Sequence, residues 1–374
     1  MRNRSIIFIL FLASLYGQLQ WYNHSELIWK TIETAHFKIH YHQGTERSAR
    51  EAAEAAEYVY IPITQLYDFE PKTKTDIIIK DVDDYSNGSA SFFENLIEIW
   101  AKPLDLDLRG SHRWIQNVIS HEFTHIVQIG KSLKYSNHVW ASYIQKLSYE
   151  KEKREDVLTG YPIEIISYPI SSGISMPMWL AEGTAQHMYD KLFFDYWDST
   201  RDMIVRDRVL HNTMFTFNQM NTFGKCGMGN ELVYNFGFAL VEYITKEYGE
   251  TALKDISISL SKPFNYSINR AIKETIGITG EELYSNWKGS LEKHYTQQIS
   301  NIQDKRDYTI LESDGEANIN PRWSPNSKKI AYLSNKENDS FRKTDLFVYT
   351  LEDSTHKKIV PGIKSIPTWV NDSL

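Results

Sequence analysis

His121-Glu122-Phe123-Thr124-His125 sets two imidazoles one helical turn apart with a carboxylate beside the first. At i and i+4 both rings lie on one helix face and can meet one metal ion, while Glu122 can reach a water in the ion's open position. Zinc lowers the pKa of such a water from about 15.7 towards about 7, so that a carboxylate can take its proton and hydroxide can attack a peptide carbonyl. The spacing therefore points to metal-dependent hydrolysis. A motif of five residues also arises by chance in a chain of 374 with 12 His, so its flanks decide the reading. Trp114, Ile115, Val118, Ile119, Phe123, Ile126 and Val127 recur at helical spacing around it and predict a helix with a buried face beside the ligands. The alternative is a pair of neutral, hydrogen-bonded imidazoles in a core helix.

A catalytic zinc needs a third protein ligand, and the best candidate is Glu182 in Met178-Trp179-Leu180-Ala181-Glu182-Gly183-Thr184-Ala185-Gln186-His187. Trp179, Leu180 and Ala185 give this segment an apolar helical side, and Gly183 beside the carboxylate would admit a close approach to the metal helix. His187 is the fallback ligand. The competing explanation of Glu182 is an ordinary acidic residue in a helix's first turn, where the helix dipole favours it.

The two segments together resemble the gluzincin zinc peptidases, in particular the bacterial peptidase-MA-like branch. That resemblance implies one catalytic Zn2+ held by His121, His125 and Glu182, with Glu122 as general base and acid. It extends to Asp83-Asp84-Tyr85-Ser86-Asn87-Gly88 and Pro103-Leu104-Asp105, and so covers most of residues 30 to 300. Many gluzincins carry an Asp four residues after the glutamate ligand to orient a histidine, whereas this chain has Gln186, whose amide would fill that role less strongly. The gap between the motifs is longer than in thermolysin-like enzymes, so their substrate preferences are not carried over. In similar proteins the strand before the zinc helix is an edge that pairs with the substrate backbone, a role that falls here on residues 95 to 100. Phe93-Glu94-Asn95 is faintly similar to an aminopeptidase signature, but its Gly and Met are absent, and endopeptidase action is expected. Gluzincins often stabilise the oxyanion with a Tyr or His; Tyr234 in Val233-Tyr234-Asn235-Phe236-Gly237 is the candidate, with His211 and a plain core tyrosine as alternatives.

Working outward, Ala35 to His42 alternates and predicts a half-buried strand whose His36, His40 and His42 share a solvated face. Glu46 to Leu66 predicts a long helix that runs through Pro62, Thr75 to Lys80 and Leu96 to Trp100 predict strands, and Glu231 to Tyr248 and Glu281 to Tyr295 predict helices, the former stopped by Gly249. Lys131 to Gly173 has no clear period and is expected to be an insertion near the cleft. The charge run Glu150 to Asp156 mixes signs, as a solvated segment does. The fold class expected is α+β, a mixed sheet followed by a helical subdomain.

At the N-terminus, Arg2 and Arg4 precede an apolar run from Ile6 to Leu15, the pattern of a secretory signal peptide over residues 1–19, too short to span a bilayer comfortably. Cys226 is the single cysteine, so no intramolecular disulfide is available, which suits a bacterial periplasm or exterior. A net charge of −7 leaves no basic stripe for nucleic acid. With 41% hydrophobic and 13% aromatic residues the chain can bury a large core and is expected to divide into two units. The expected boundaries are 20–304 for the catalytic unit and 305–374 for the C-terminal unit.

After about Asp304 the character changes. Asn320-Pro321-Arg322-Trp323-Ser324-Pro325-Asn326-Ser327 returns 46 residues later as Ile366-Pro367-Thr368-Trp369-Val370-Asn371-Asp372-Ser373, with Lys329 to Leu333 and Asp345 to Tyr349 as strands between. This is similar to TolB-like propeller repeats. One such repeat cannot bury both its faces, so the expectation is the start of a longer β-propeller that could dock a protein or envelope partner. The functional expectation is a secreted or periplasmic zinc endopeptidase acting on a peptide or protein substrate. The rival, from another class, is a zinc-stabilised envelope scaffold whose propeller mediates binding. Retention of Glu122 favours the enzyme, because a purely structural site needs no base.

Overall fold

The computed structural model describes residues 24–83, 85–103, 113–134, 174–224, 227–302, 308–315, 317–338 and 343–372, together with the backbone of 143–149 and 165–171. The signal segment, the 150–156 charge run, Leu104, Asp105 and Cys226 lie outside them. The fold is α+β, with mixed and antiparallel sheets and eight α-helices among the described residues.

Five strands, β1 (Trp29–Glu33), β2 (Phe37–His42), β3 (Thr75–Lys80), β4 (Gly88–Ser91) and β5 (Leu96–Trp100), form one sheet in the order β1-β2-β3-β5-β4. The central three run parallel, and β1 and β4 are antiparallel edges. Phe37, Ile39, Ile77, Ile79, Ile97 and Ile99 are fully buried, the period-2 face that the sequence alternation predicts. Two helices cover that face. In α1 (Glu46–Tyr67), Ala49, Ala52, Ala53, Ala56, Val59 and Ile63 follow a helical period, and small alanines let the helix lie close to the sheet. In α2 (Trp114–Ser132), Phe123 packs edge-on to Phe37 at 5.1 Å and stacks on Tyr60 at 5.7 Å. The strand expected at the sheet's edge is internal: β5 lies between β3 and β4, and β4 is the edge.

The remaining helices form a second layer: α3 (Met178–Lys191), α4 (Ser199–Leu210), α5 (Gly227–Tyr248), α6 (Thr251–Ser261), α7 (Ile268–Ile276) and α8 (Gly280–Ser300). Gly249 adopts φ +86°, the left-handed conformation that ends α5. Between α2 and α3 lies a hairpin of β6 (Tyr143–Tyr149) and β7 (Ile165–Ser171), inside the Lys131 to Gly173 stretch expected to be an insertion. None of these helices is long and apolar enough to cross a membrane.

The C-terminal strands β8 (Asn318–Trp323), β9 (Lys329–Ser334), β10 (Asp345–Thr350) and β11 (Thr355–Val360) make a separate antiparallel meander with its own apolar cluster of Ile330, Tyr332, Phe347 and Tyr349. The two copies of the repeat touch each other: Trp369 Nε1 donates to Arg322 O at 2.9 Å, and Asn326 N donates to Asp372 Oδ1 at 2.8 Å.

Candidate metal centre

Helix α2 buries His121, Glu122 and His125 because its other positions, Ile119, Phe123, Ile126 and Val127, belong to the core. Helix α3 is drawn against α5 by two glycines. A Cβ on Gly183 would meet the Gly237 carbonyl carbon at 2.3 Å, and one on Gly237 would meet Trp179 O at 2.4 Å. Gly183 thus serves the α3–α5 contact and not the approach to the metal helix expected of it. The close packing carries Glu182 to the two histidines.

His121 Nε2 lies 3.0 Å from Glu182 Oε2 and 3.1 Å from His125 Nε2, and His125 Nε2 lies 3.4 Å from Glu182 Oε2. A tetrahedral ion with bonds of about 2.0 to 2.2 Å holds its donors about 3.3 to 3.6 Å apart. The observed triangle is close to that size. Hydrogen bonding alone accounts for it poorly, since the one hydrogen on His121 Nε2 cannot serve both neighbours. Burial alone would push the Glu182 carboxyl up, but the imidazoles, His125 foremost, hold it well below the usual carboxylate range. Burial likewise opposes charge on His125, and Glu182, helped by Glu122, reverses this and raises it. Two buried carboxylates converging with two imidazole nitrogens favour a cation between them. The group can therefore hold a metal ion.

The donors open on a cavity of about 250 Å³. Glu122 stands beside the ligands, and Gly88 of β4 passes over it so closely that a Cβ there would meet Val118 Cγ2 at 2.3 Å and Glu122 Oε1 at 2.9 Å. Tyr234 of α5 lines the same cavity, its ring 6.2 Å from that of His121 and stacked on Phe223 at 5.3 Å. The remaining wall comes from Ser89, Ala90, Ile129, Met178 and Ala181.

Other candidates fall elsewhere. His187 faces Glu242, to which its Nδ1 is hydrogen-bonded, and lines a different cavity between α3, α5 and α8. His211 is exposed at the end of α4, bonded to Asp207 O at 2.9 Å. Gln186 Oε1 is buried without a hydrogen-bond partner and so does not orient a ligand histidine, and His125 Nδ1 is buried and unpartnered too. Glu94 sits in the β4–β5 turn, accepting from Ser91 Oγ at 2.8 Å. The histidines near β2 do not converge: His36 pairs with Glu57, His40 with Asp76, and His42 is buried between Gln43 O and the Asp81 N–H rather than solvated.

Sequence reasoning missed β4 and the cavity wall. Gly88 to Ser91 is four small residues with no alternation to find. Ile129 and Met178 were legible in principle, one turn after His125 and one turn before Glu182. No protein-family model matches the chain, and comparison with curated proteins finds no match either.

Proposed function

We propose that this chain is a zinc-dependent endopeptidase of gluzincin type. The observation that carries the reading is the convergence of His121, His125 and Glu182 within one hollow, with the Glu122 carboxylate beside it and an open cleft in front. A zinc ion held by those three residues would polarise the scissile carbonyl and lower the pKa of water towards neutrality. Glu122 takes the proton from the attacking water and returns it to the departing amine, so one water is consumed and one peptide bond breaks. Tyr234 can donate its hydroxyl hydrogen to the carbonyl oxygen as that atom gains charge. Among the described residues β4 pairs with β5 alone, and its Gly88 and Ala90 border the cleft, so its outer edge can pair with an extended substrate backbone. No Lys or Arg lines the cleft among the described residues, so none there could pair with a free C-terminal carboxylate, and the carboxylates there, Glu122 and Glu182, are the proposed base and ligand.

The N-terminal pattern supports export to a bacterial periplasm or exterior. The antiparallel meander, the 46-residue repeat and the contacts between its copies support a TolB-like propeller unit that offers a surface to a protein or envelope partner.

The test is hydrolysis of a library of terminally blocked, unstructured peptides, read by mass spectrometry with zinc content measured in parallel. Wild type is expected to bind one zinc and cleave, Glu122→Gln to bind zinc without cleaving, and His125→Ala to lose zinc. A folded, zinc-loaded wild type that cleaves nothing would overturn the proposal.

A further inference from the structure

Helices α2 and α3 carry the metal donors between their ends, and contacts tie the two together at both ends. At one end Asn117, in the first turn of α2, donates to Asp195, just after α3, at 2.9 Å. At the other, Lys134 lies two residues past α2 and Ser175 three before α3, and both reach one atom. Lys134 Nζ donates to Asn265 O at 2.5 Å, and Ser175 Oγ donates to the same oxygen at 3.2 Å. We infer that Lys134 is a positioning residue for the metal centre, a tethered cation that clasps the end of α2 and the approach to α3 onto the turn between α6 and α7 and so holds Glu182 against His121 and His125. The inference rests on reading those three residues as zinc ligands.

The turn is built to receive a cation. Lys134 Nζ also donates to Leu260 O and, at 3.3 Å, to Lys262 O, and it stands 4.8 Å from the centre of the Tyr266 ring. An ammonium has three hydrogens and accepts none, so three carbonyls match it where a neutral amine or a hydroxyl would leave one unserved. These carbonyls lie at or just past the C-terminal end of α6, where the helix dipole favours positive charge, and α6 has no basic residue in its own last turn. Asn265 holds the turn in shape without help from Lys134. Its buried side chain donates to Ser259 O at 3.1 Å and Ser259 Oγ at 3.0 Å and accepts from Ser267 N at 3.2 Å. Burial pushes the Lys134 ammonium down to about 8, so the charged form still prevails at pH 7. Between Lys134 and Ser175 the chain makes its excursion through the β6–β7 hairpin. With both ends of that excursion fastened to one oxygen, α2 and α3 cannot part at this end without breaking the clasp.

The experiment uses the full chain at pH 7 and two readouts: zinc affinity by competition with a chelator, and amide exchange in the last turn of α2 and the first turn of α3. Lys134→Ala removes three carbons and the ammonium, a space that fits propylammonium. Zinc affinity is expected to fall about tenfold, as it does when a group that orients ligands is lost, and protection at both helix ends should fall with it. Propylammonium should restore both, and 1-propanol, similar in shape but uncharged, should restore neither. Lys134→Met keeps the stem and guards against simple unfolding; it should show the same losses with no rescue, because its side chain fills the space. Unchanged zinc affinity in both variants, or rescue by 1-propanol as good as by propylammonium, would overturn this inference and leave the zinc reading standing. Lost protection that propylammonium restores, in a chain whose wild type binds no zinc, would keep the clasp and sink the zinc reading.

Discussion

At the scale of single residues, the centre depends on one position with no side chain. Gly88 lies where any Cβ would press on Val118 and the Glu122 carboxylate, so Gly88→Ala must displace either the strand or the base. Misplacing a catalytic group by about 1 Å can cost about 100-fold in rate, and a loss of that order is expected with zinc content unchanged. Peptide hydrolysis and metal analysis on the same sample check it, and loss of zinc along with activity would mean that the strand, not the base, had been protecting the ligands. Tyr234→Phe keeps the ring against Phe223 and His121 and removes only the hydroxyl. If that hydroxyl meets the developing oxyanion, kcat should fall about 100-fold while KM holds; an unchanged kcat would return Tyr234 to the role of a packing residue. The convergence of His121, His125 and Glu182 was legible in the sequence because two helices with clear apolar periods carried them. Gly88 was not, because its importance comes from a strand crossing a helix, which no local pattern records.

At the scale of elements, the positions of α2 and α3 are fixed by contacts remote from the chemistry. Asp195, just after α3, is buried with Arg201 of α4 at 2.7 Å and also accepts from Asn117 in the first turn of α2 at 2.9 Å. Arg201→Met would take the guanidinium away from the buried Asp195 carboxylate, and breaking one partner of such a pair costs about 3 to 5 kcal/mol. The expected result is a fall of that size in denaturant stability, with zinc affinity reduced because α2 and α3 lose their shared anchor. Gly183→Ala tests the other side of α3. Its methyl would meet the Gly237 backbone, which cannot rotate away, so α3 must move and Glu182 with it. Overpacking of this kind costs about 1 to 3 kcal/mol, and a weaker zinc affinity measured by competition with a chelator should accompany it. The helices and central strands were readable because their periods repeat over many residues: Thr75–Lys80 and Leu96–Trp100 fall where the pattern places them. What failed was relation. The alternation of Leu96 to Trp100 fits an edge strand as well as an internal one, and only the placing of β4 outside it decides. Gly183 and Gly237 likewise advertise closeness without naming a partner.

At the scale of the molecule, two apolar clusters are separate, one shared by the mixed sheet and the helices, the other confined to the C-terminal meander. A small sheet with one modest cluster relies on polar contacts for a larger share of its stability. Here they centre on Glu312, which receives hydrogen bonds from Lys336 and from Tyr332, the latter at 2.8 Å, while the Tyr332 oxygen also lies 2.8 Å from His356 Nδ1. Burial would raise the Glu312 carboxyl, but Lys336, the Asp314 N–H and Tyr332 together hold it down at about 2, below its ordinary 4.5. A carboxyl whose pKa is depressed by folding contributes stability that is complete above its unfolded value and is lost as pH falls through the folded one. The meander should therefore weaken between about pH 4.5 and about 2, the interval between the unfolded and folded values of Glu312. Amide exchange in β9 and β10, corrected for the intrinsic rate at each pH, measures this directly. In Glu312→Gln, protection at neutral pH should already be reduced, and its decline across that acid interval should be shallower than in wild type. Because the two clusters share no residues, zinc binding and hydrolysis at neutral pH should be the same in this variant. An equal acid response in both proteins would mean that other carboxylates set the limit. Loss of zinc in the variant would mean that the meander and the unit carrying His121, His125 and Glu182 are coupled after all.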